Sequence, residues 1–177
     1  ATPTSTFRIA VTSVNDPPTV QTNTGFSLDE GAARVITSAH LSSTDPDTED
    51  NDLEYRITSA TSGAVLLNGA TLPGGVFTQA QISAGAVSFR HDGSEGNAAS
   101  FQFTVSDGSS STDPHTFDIS VNPVNDGPAI TTNTGMTMTE GSSMTVTEAM
   151  LLASDPDTDK AGLRYTVSGV VGGSVLL

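Results

Sequence analysis

Cysteine and tryptophan are absent from this chain of 177 residues, and its aromatic side chains are seven phenylalanines and two tyrosines. Without cysteine there is no disulfide bond and no thiol chemistry. A small secreted domain without disulfides needs another staple, and a bound metal is the usual substitute. Gly, Ser, Thr and Val are frequent, which is typical of all-β structure with many turns.

Positive charge is equally scarce, since six Lys and Arg stand against twenty Asp and Glu, for a net charge of −14. This balance argues against nucleic acid as a partner, because binding it requires Lys and Arg to displace counterions from phosphates. Anionic membrane surfaces are disfavoured for the same reason. No apolar run has the length of a membrane-spanning helix, so no membrane insertion is expected in this segment.

Catalytic patterns are also missing. His40, His91 and His115 lack the spacing of metal ligands, and no nucleophile motif accompanies a serine. Paired carboxylates would suit a glycosidase, but the pairs in this chain lie in repeated loops, which a single active site does not explain. The sequence therefore predicts that the chain is not an enzyme.

The chain repeats itself with a period of 110 residues: Asn15-Asp16 returns as Asn125-Asp126, and Asp45-Pro46-Asp47 returns as Asp155-Pro156-Asp157. Such repeats indicate a tandem array of modules. The repeat predicts that 1–14 is the last strand of a preceding repeat, 15–124 a complete repeat and 125–177 the first half of a following one. We expect 125–177 to be ordered only if something completes it.

Alternating apolar residues within 15–124 predict seven strands, near 19–28, 33–38, 53–60, 64–67, 86–91, 100–106 and 115–122. Residues 78–82 suit one helical turn. Seven short strands in a repeat of this size indicate a Greek-key β-sandwich, and the last three strands have the strict period of two of a sheet with one buried face.

In such a sandwich successive loops alternate between its two ends. One end, the near pole, then collects Asn15, Asp16, Asp45, Asp47 and Asp107. The other end, the far pole, collects Glu30, Asp92 and Glu95. Several carboxylates and an Asn amide form an oxygen-only ligand set, which favours Ca²⁺. For any single Asp the alternative is a solvated turn residue. The Asp-x-Asp pair, however, recurs at the same position of the next repeat, which favours a ligand role for it.

The chain resembles the cadherin-like repeats of large bacterial surface proteins, and in particular the chondroitin-sulfate-proteoglycan type. The resemblance covers both 15–124 and 125–177, and it rests on motifs in a fixed order: Asn15-Asp16 at the junction, Phe77-Thr78-Gln79, His91-Asp92-Gly93 and Phe101 to Gly108. It implies a cadherin/Ig-like sandwich with Ca²⁺ at the junctions. The junction after the complete repeat would add four ligands to the far pole: Asn125, Asp126, Asp155 and Asp157. A shorter linker than in classical cadherins predicts fewer ions at each junction.

We therefore expect a calcium-rigidified spacer or adhesion repeat of a large extracellular protein, secreted or on the cell surface, and the resemblance suggests a bacterial one. Its partners would be neighbouring repeats, with another protein or a glycan bound through other domains. Two alternatives stay open: direct binding of a glycan or protein by the repeat, and a role as accessory repeats of a large extracellular enzyme.

Overall fold

A computed structural model describes residues 3–176 of the chain; Ala1, Thr2 and Leu177, the outermost residues of the predicted flanking pieces, lie outside the described part. The chain divides into two compact units, Ala1–Pro123 and Val124–Leu177. The assignment of 1–14, 15–124 and 125–177 to three successive repeats stays a prediction.

Within residues 3–123, the first unit contains eleven strands and one short helix. The strands are β1 (Thr19–Asn23), β2 (Phe26–Asp29), β3 (Ala33–Val35), β4 (Leu41–Thr44), β5 (Glu54–Thr61), β6 (Gly63–Leu67), β7 (Ala70–Thr71), β8 (Val76–Thr78), β9 (Val87–His91), β10 (Ala98–Ser106) and β11 (His115–Asn122). The helix α1 spans Gln79–Ser83, close to the predicted helical turn, and single 3₁₀ turns span Asp50–Asp52 and Pro73–Gly75.

These strands form a sandwich. One sheet has the order β2-β11-β10-β5-β8, the other has the order β3-β9-β6-β7, and β1 pairs separately with β4. All pairs are antiparallel except β11 with β2. The predicted all-β sandwich of cadherin/Ig-like type is therefore confirmed.

The predicted first strand over 19–28 is wrong as one element. The chain breaks at Gly25, so that β1 pairs with β4 while β2 pairs with β11 in the large sheet. Gly25 has a φ of +63°, and a Cβ at this position would lie 2.1 Å from the carbonyl oxygen of Asp118. Only glycine fits this close approach of two backbones, so the crossing depends on it.

Phenylalanine fills the core between the sheets. Phe101 and Phe103 alternate along β10 with the exposed Gln102, and both are fully buried. The Phe101 and Phe117 rings stack with centroids 4.8 Å apart. The strict alternation predicted for β10 and β11 is confirmed, because each strand turns one face to the core.

The second unit contains β12 (Ala129–Asn133) and β13 (Leu151–Ser154), which pair with the same register as β1 and β4, and a 3₁₀ turn at Lys160–Gly162. The side chain of Tyr165 is 48% exposed. Residues 3–18 carry no strand, and the apolar side chains Phe7, Ile9 and Val11 are exposed.

Replacing Phe103 by alanine tests the register of the core. We expect Phe103→Ala to lower the free energy of unfolding by about 3–5 kcal/mol, because a fully buried aromatic side chain is lost and a cavity remains. Gln102→Ala, on the exposed face of the same strand, should change it by less than about 0.5 kcal/mol. Urea denaturation of both variants measures this, and equal small effects would contradict the register.

Candidate metal centre

The near pole begins with the loop after β4. Asp45 closes this loop on itself, because its Oδ1 accepts hydrogen bonds of 2.8 Å from the backbone N–H groups of both Asp47 and Thr48. A side chain that accepts from the backbone two and three residues ahead is a common way for Asp to build a turn. The turn sends the Asp47 side chain back toward the linker, where its Oδ2 accepts from the N–H of Asp16 at 2.7 Å.

The loop between β10 and β11 meets the same linker. Asn15 donates through its Nδ2 to Oδ2 of Asp107 at 3.0 Å and to Oγ of Ser110 at 3.1 Å. The other oxygen of Asp107, Oδ1, accepts from the N–H groups of Ser109 and Ser110. The structure thus brings together all five residues predicted for the near pole, although their role as metal ligands stays a prediction.

One oxygen of this pole stands out. Asp45 Oδ2 is buried and has no hydrogen-bond partner among residues 3–176. A buried carboxylate oxygen without a partner carries a large desolvation penalty. Among the described residues, no three carboxylates of Asp16, Asp45, Asp47 and Asp107 lie within 4.8 Å of one another. Hydrogen bonds from backbone N–H groups and from the Asn15 side chain therefore hold this pole together.

Hydrogen bonds lower the pKa of the Asp107 carboxyl. The N–H of Ser110, then the side chain of Asn15, then the N–H of Ser109 hold its pKa below the usual value of 3.8. Hydrogen bonds to the ionised form are the cause. The group consequently favours the folded pole above its usual pKa, and this contribution is lost as the pH falls through the lowered pKa.

At the far pole of the first unit, Glu30 and Glu95 come together. Their carboxylate oxygens lie within 4.8 Å of each other, with Glu30 half-buried and Glu95 exposed. Asp92, the third predicted residue, turns back on its own loop, where its Oδ1 accepts from the N–H of Ser94 at 3.0 Å. Hydrogen bonds from Ser94 also lower the pKa of Asp92.

Buried His91 joins the two turns of the far pole, a role that the sequence analysis missed. Its side chain is 2% exposed, and its Nδ1 accepts from the N–H groups of Gly31 at 3.2 Å and Gly93 at 3.1 Å. Gly31 comes directly after Glu30, and Gly93 directly after Asp92, so one imidazole holds both turns that carry the predicted ligands. The signal in the sequence was its place beside an Asp-Gly turn.

The second unit repeats the loop of the near pole. Asp155 Oδ1 accepts from the N–H groups of Asp157 at 3.0 Å and Thr158 at 2.8 Å. Asp157 Oδ2 in turn accepts from the N–H of Asp126, and Asn125 donates to the carbonyl of Asp126. The four predicted residues of this unit therefore lie in one network. That they share a site with Glu30, Asp92 and Glu95 stays a prediction.

A sandwich whose ends carry acidic, Asn-Asp-linked loops defines a cadherin-like module, and comparison with known proteins agrees. The profile of the family described as cadherin-like matches residues 18–121 and again 128–177. The chain belongs to this family, as its motifs predicted.

Similar proteins are found among large extracellular matrix and proteoglycan proteins of animals. The chain is 36% identical over 165 residues to human "Extracellular matrix organizing protein FRAS1", a match to 91% of this chain and 4% of that protein. It is 42% identical over 115 residues to human "Chondroitin sulfate proteoglycan 4", covering 63% of this chain and 5% of that protein. It is 33% identical over 158 residues to "Extracellular matrix protein 3" of Lytechinus variegatus, covering 80% of this chain and 5% of that protein.

The chain therefore spans about a twentieth of the length of these relatives. Among residues 3–176, no helix is long and apolar enough to cross a membrane. The three relatives named above are animal proteins, and the bacterial source suggested by the sequence resemblance stays a prediction.

Replacing His91 tests how the far pole is held. His91→Leu should lower the free energy of unfolding by about 1–3 kcal/mol for each N–H that loses its acceptor. His91→Asn should recover part of this loss, because its Oδ1 can occupy the place of Nδ1. Urea denaturation of the two variants decides the matter, and a leucine variant as stable as the asparagine variant would show that the acceptor is unimportant.

Replacing Asn15 tests the link between the linker and the loop of Asp107. In Asn15→Ala the pKa of Asp107 should rise toward 3.8, without reaching it, since the N–H groups of Ser109 and Ser110 remain. Titration of the carboxyl carbon by NMR measures the shift. Ser13→Ala, in the exposed segment before the linker, should leave the titration unchanged. An equal midpoint in both variants would mean that the Asn15 contact is absent in solution.

Proposed function

We propose that the chain is a calcium-rigidified spacer or adhesion repeat of a large extracellular protein. Calcium would bind at the near pole of each repeat, balance its carboxylates and restrict the linker that carries Asn15 and Asp16. The observation that carries the proposal is Asp45 Oδ2, a buried oxygen without a hydrogen-bond partner in the described chain, at a pole that holds three further carboxylates.

The ligand chemistry supports Ca²⁺ over other cations. Asn15 uses its amide nitrogen for hydrogen bonds to Asp107 and Ser110, which leaves its amide oxygen for a cation. Carboxylate, amide and backbone oxygens are the ligands that Ca²⁺ accepts in numbers of six to eight and in flexible geometry. Mg²⁺ demands near-ideal octahedral geometry and keeps its waters, so a pole made of loops suits it poorly.

The spacer role is supported by the repeat and by the relatives. Each loop is tied to the linker that precedes its own repeat: Asp47 to Asp16, and Asp157 to Asp126. A cation at this place would act on the linker more than on the core. The similar proteins are named as matrix proteins and a proteoglycan, which supports an extracellular place for this chain, with neighbouring repeats as its first partners.

Calorimetry in EDTA, Mg²⁺ and Ca²⁺ tests the proposal. At millimolar Ca²⁺ and a dissociation constant of roughly 10⁻⁴ to 10⁻³ M, stabilisation should be about 0.4–1.4 kcal/mol for each site. Chelation should then lower the melting temperature by a few degrees without abolishing the fold, because the strands make the core. Mg²⁺ should have little effect.

Two variants locate the effect. Asp45→Asn should remove most of the calcium-dependent shift of the near pole of the first unit. Asp118→Asn, on the exposed face of β11, changes the net charge equally and should keep the shift. Identical melting in EDTA and Ca²⁺, or an equal loss in both variants, would overturn the calcium proposal in favour of acidity that serves solubility alone.

A further inference from the structure

We propose that Tyr55 is a positioning residue for the near pole: its buried hydroxyl holds strand β4 so that the Asp45 loop stays in the conformation a cation needs. The part of this inference that concerns a cation rests on the proposed calcium function. Its structural part, that Tyr55 orders the Asp45 loop, can be tested without any cation.

The Tyr55 hydroxyl belongs to a small polar cluster inside an apolar core. Tyr55 is fully buried, and Ser43 and Gln79 are nearly so. The hydroxyl lies 2.6 Å from Oε1 of Gln79 and 2.8 Å from Oγ of Ser43. Since the amide oxygen can only accept, the Tyr55 proton goes to Gln79, and the serine hydroxyl donates to Tyr55. Burial raises the pKa of Tyr55 to about 12, so it remains a neutral donor.

This cluster is hydrogen-bonded to β4, the strand that leads into the Asp45 loop. Gln79 Oε1 also accepts the N–H of Ser43 at 3.0 Å, and Ser43 lies two residues before Asp45. From there the chain of contacts continues through the Asp45 turn to Asp47, whose Oδ2 holds the N–H of Asp16. A displacement of β4 would therefore move the turn, the linker and the buried oxygen of Asp45 together.

In the second unit, a tyrosine hydroxyl is also hydrogen-bonded to the strand before the Asp loop, with fewer partners. Tyr165 lies at the position of Tyr55 in the repeat, and Ala153 lies at that of Ser43. The Tyr165 hydroxyl accepts directly from the N–H of Ala153 at 2.7 Å, two residues before Asp155. This contact exists although Tyr165 is 48% exposed, so it does not depend on burial of the ring. The tyrosine is kept in both units, whereas the serine is not.

Packing alone does not explain a tyrosine at this position. The Tyr55 ring stacks on Phe77 at a centroid distance of 5.1 Å and packs beside Phe103, a place that phenylalanine would fill equally well. A buried hydroxyl costs desolvation free energy unless it is hydrogen-bonded. The partners of this hydroxyl lie on β4 and α1, so what it adds is the position of β4.

The experiment compares Tyr55→Phe with Ile119→Val in the whole chain. Ile119→Val weakens the core on β11, away from the loop. Hydrogen exchange of the Asp47 and Thr48 amides, both bound to Asp45, is followed by NMR in EDTA. Tyr55→Phe should speed it about tenfold, and Ile119→Val should change it less than about twofold. Equal rates in Tyr55→Phe and Ile119→Val would overturn the inference.

A calcium titration completes the test. The Asp47 and Thr48 resonances report the first loop, and those of Asp157 and Thr158 serve as an internal reference. Tyr55→Phe should weaken binding at the first loop roughly tenfold, as loss of an outer-shell partner does at metal sites, and leave the second loop unchanged. Unchanged affinity beside faster exchange would overturn the positioning role. Absence of binding in the unaltered chain would overturn the calcium function instead, while the exchange rates would still decide what orders the loop.

Discussion

The organisation of the near pole depends on the hydrogen bonds that the Asp45 carboxylate accepts. One of its oxygens closes the loop by accepting two backbone N–H groups, and the other is buried without a hydrogen-bond partner among residues 3–176. The first oxygen fixes the conformation, and that conformation buries the second. A buried carboxylate oxygen is costly unless something compensates it, so the fold of this loop itself produces the feature on which the proposed calcium function rests.

Different interactions hold the core and the poles: apolar packing holds the core, and hydrogen bonds hold the poles. Phe101, Phe103 and Phe117 are fully buried between the sheets, and their packing does not involve the acidic loops. The loops, in contrast, are held by hydrogen bonds that include buried polar side chains. Gln79 accepts from the N–H of Ser43 in β4, the strand before the Asp45 loop, and His91 accepts from both far-pole turns. The order of the loops can therefore change without an equal change in the stability of the sandwich.

The parts of this structure that could be predicted from the sequence are those where one local pattern dominates. Alternation in β10 placed Phe101 and Phe103 in the core, and the recurrence of Asp-x-Asp located the near pole. The first strand was mispredicted because the break at Gly25 depends on the carbonyl of Asp118, far away in sequence. Strand β4 was missed because it has a single apolar residue, Leu41, and because its buried polar residue, Ser43, bonds to Gln79 and Tyr55 on other elements. The roles of His91 and Tyr55 likewise depend on partners that no local pattern shows.

The two loops share a backbone design but differ in charge. In the first unit, Asp50 accepts the N–H of Asp45 at 3.3 Å and adds a further negative charge beside it. In the second unit, Lys160 stands at the position of Asp50 and forms an ion pair with Glu148. Carboxylates crowded together repel one another, and the second loop lacks the carboxylate of Asp50 because Lys160 replaces it. The same tyrosine and the same Asp turn therefore occur in two loops of unequal charge, so the backbone geometry of the loop is common to both units while its local charge is not.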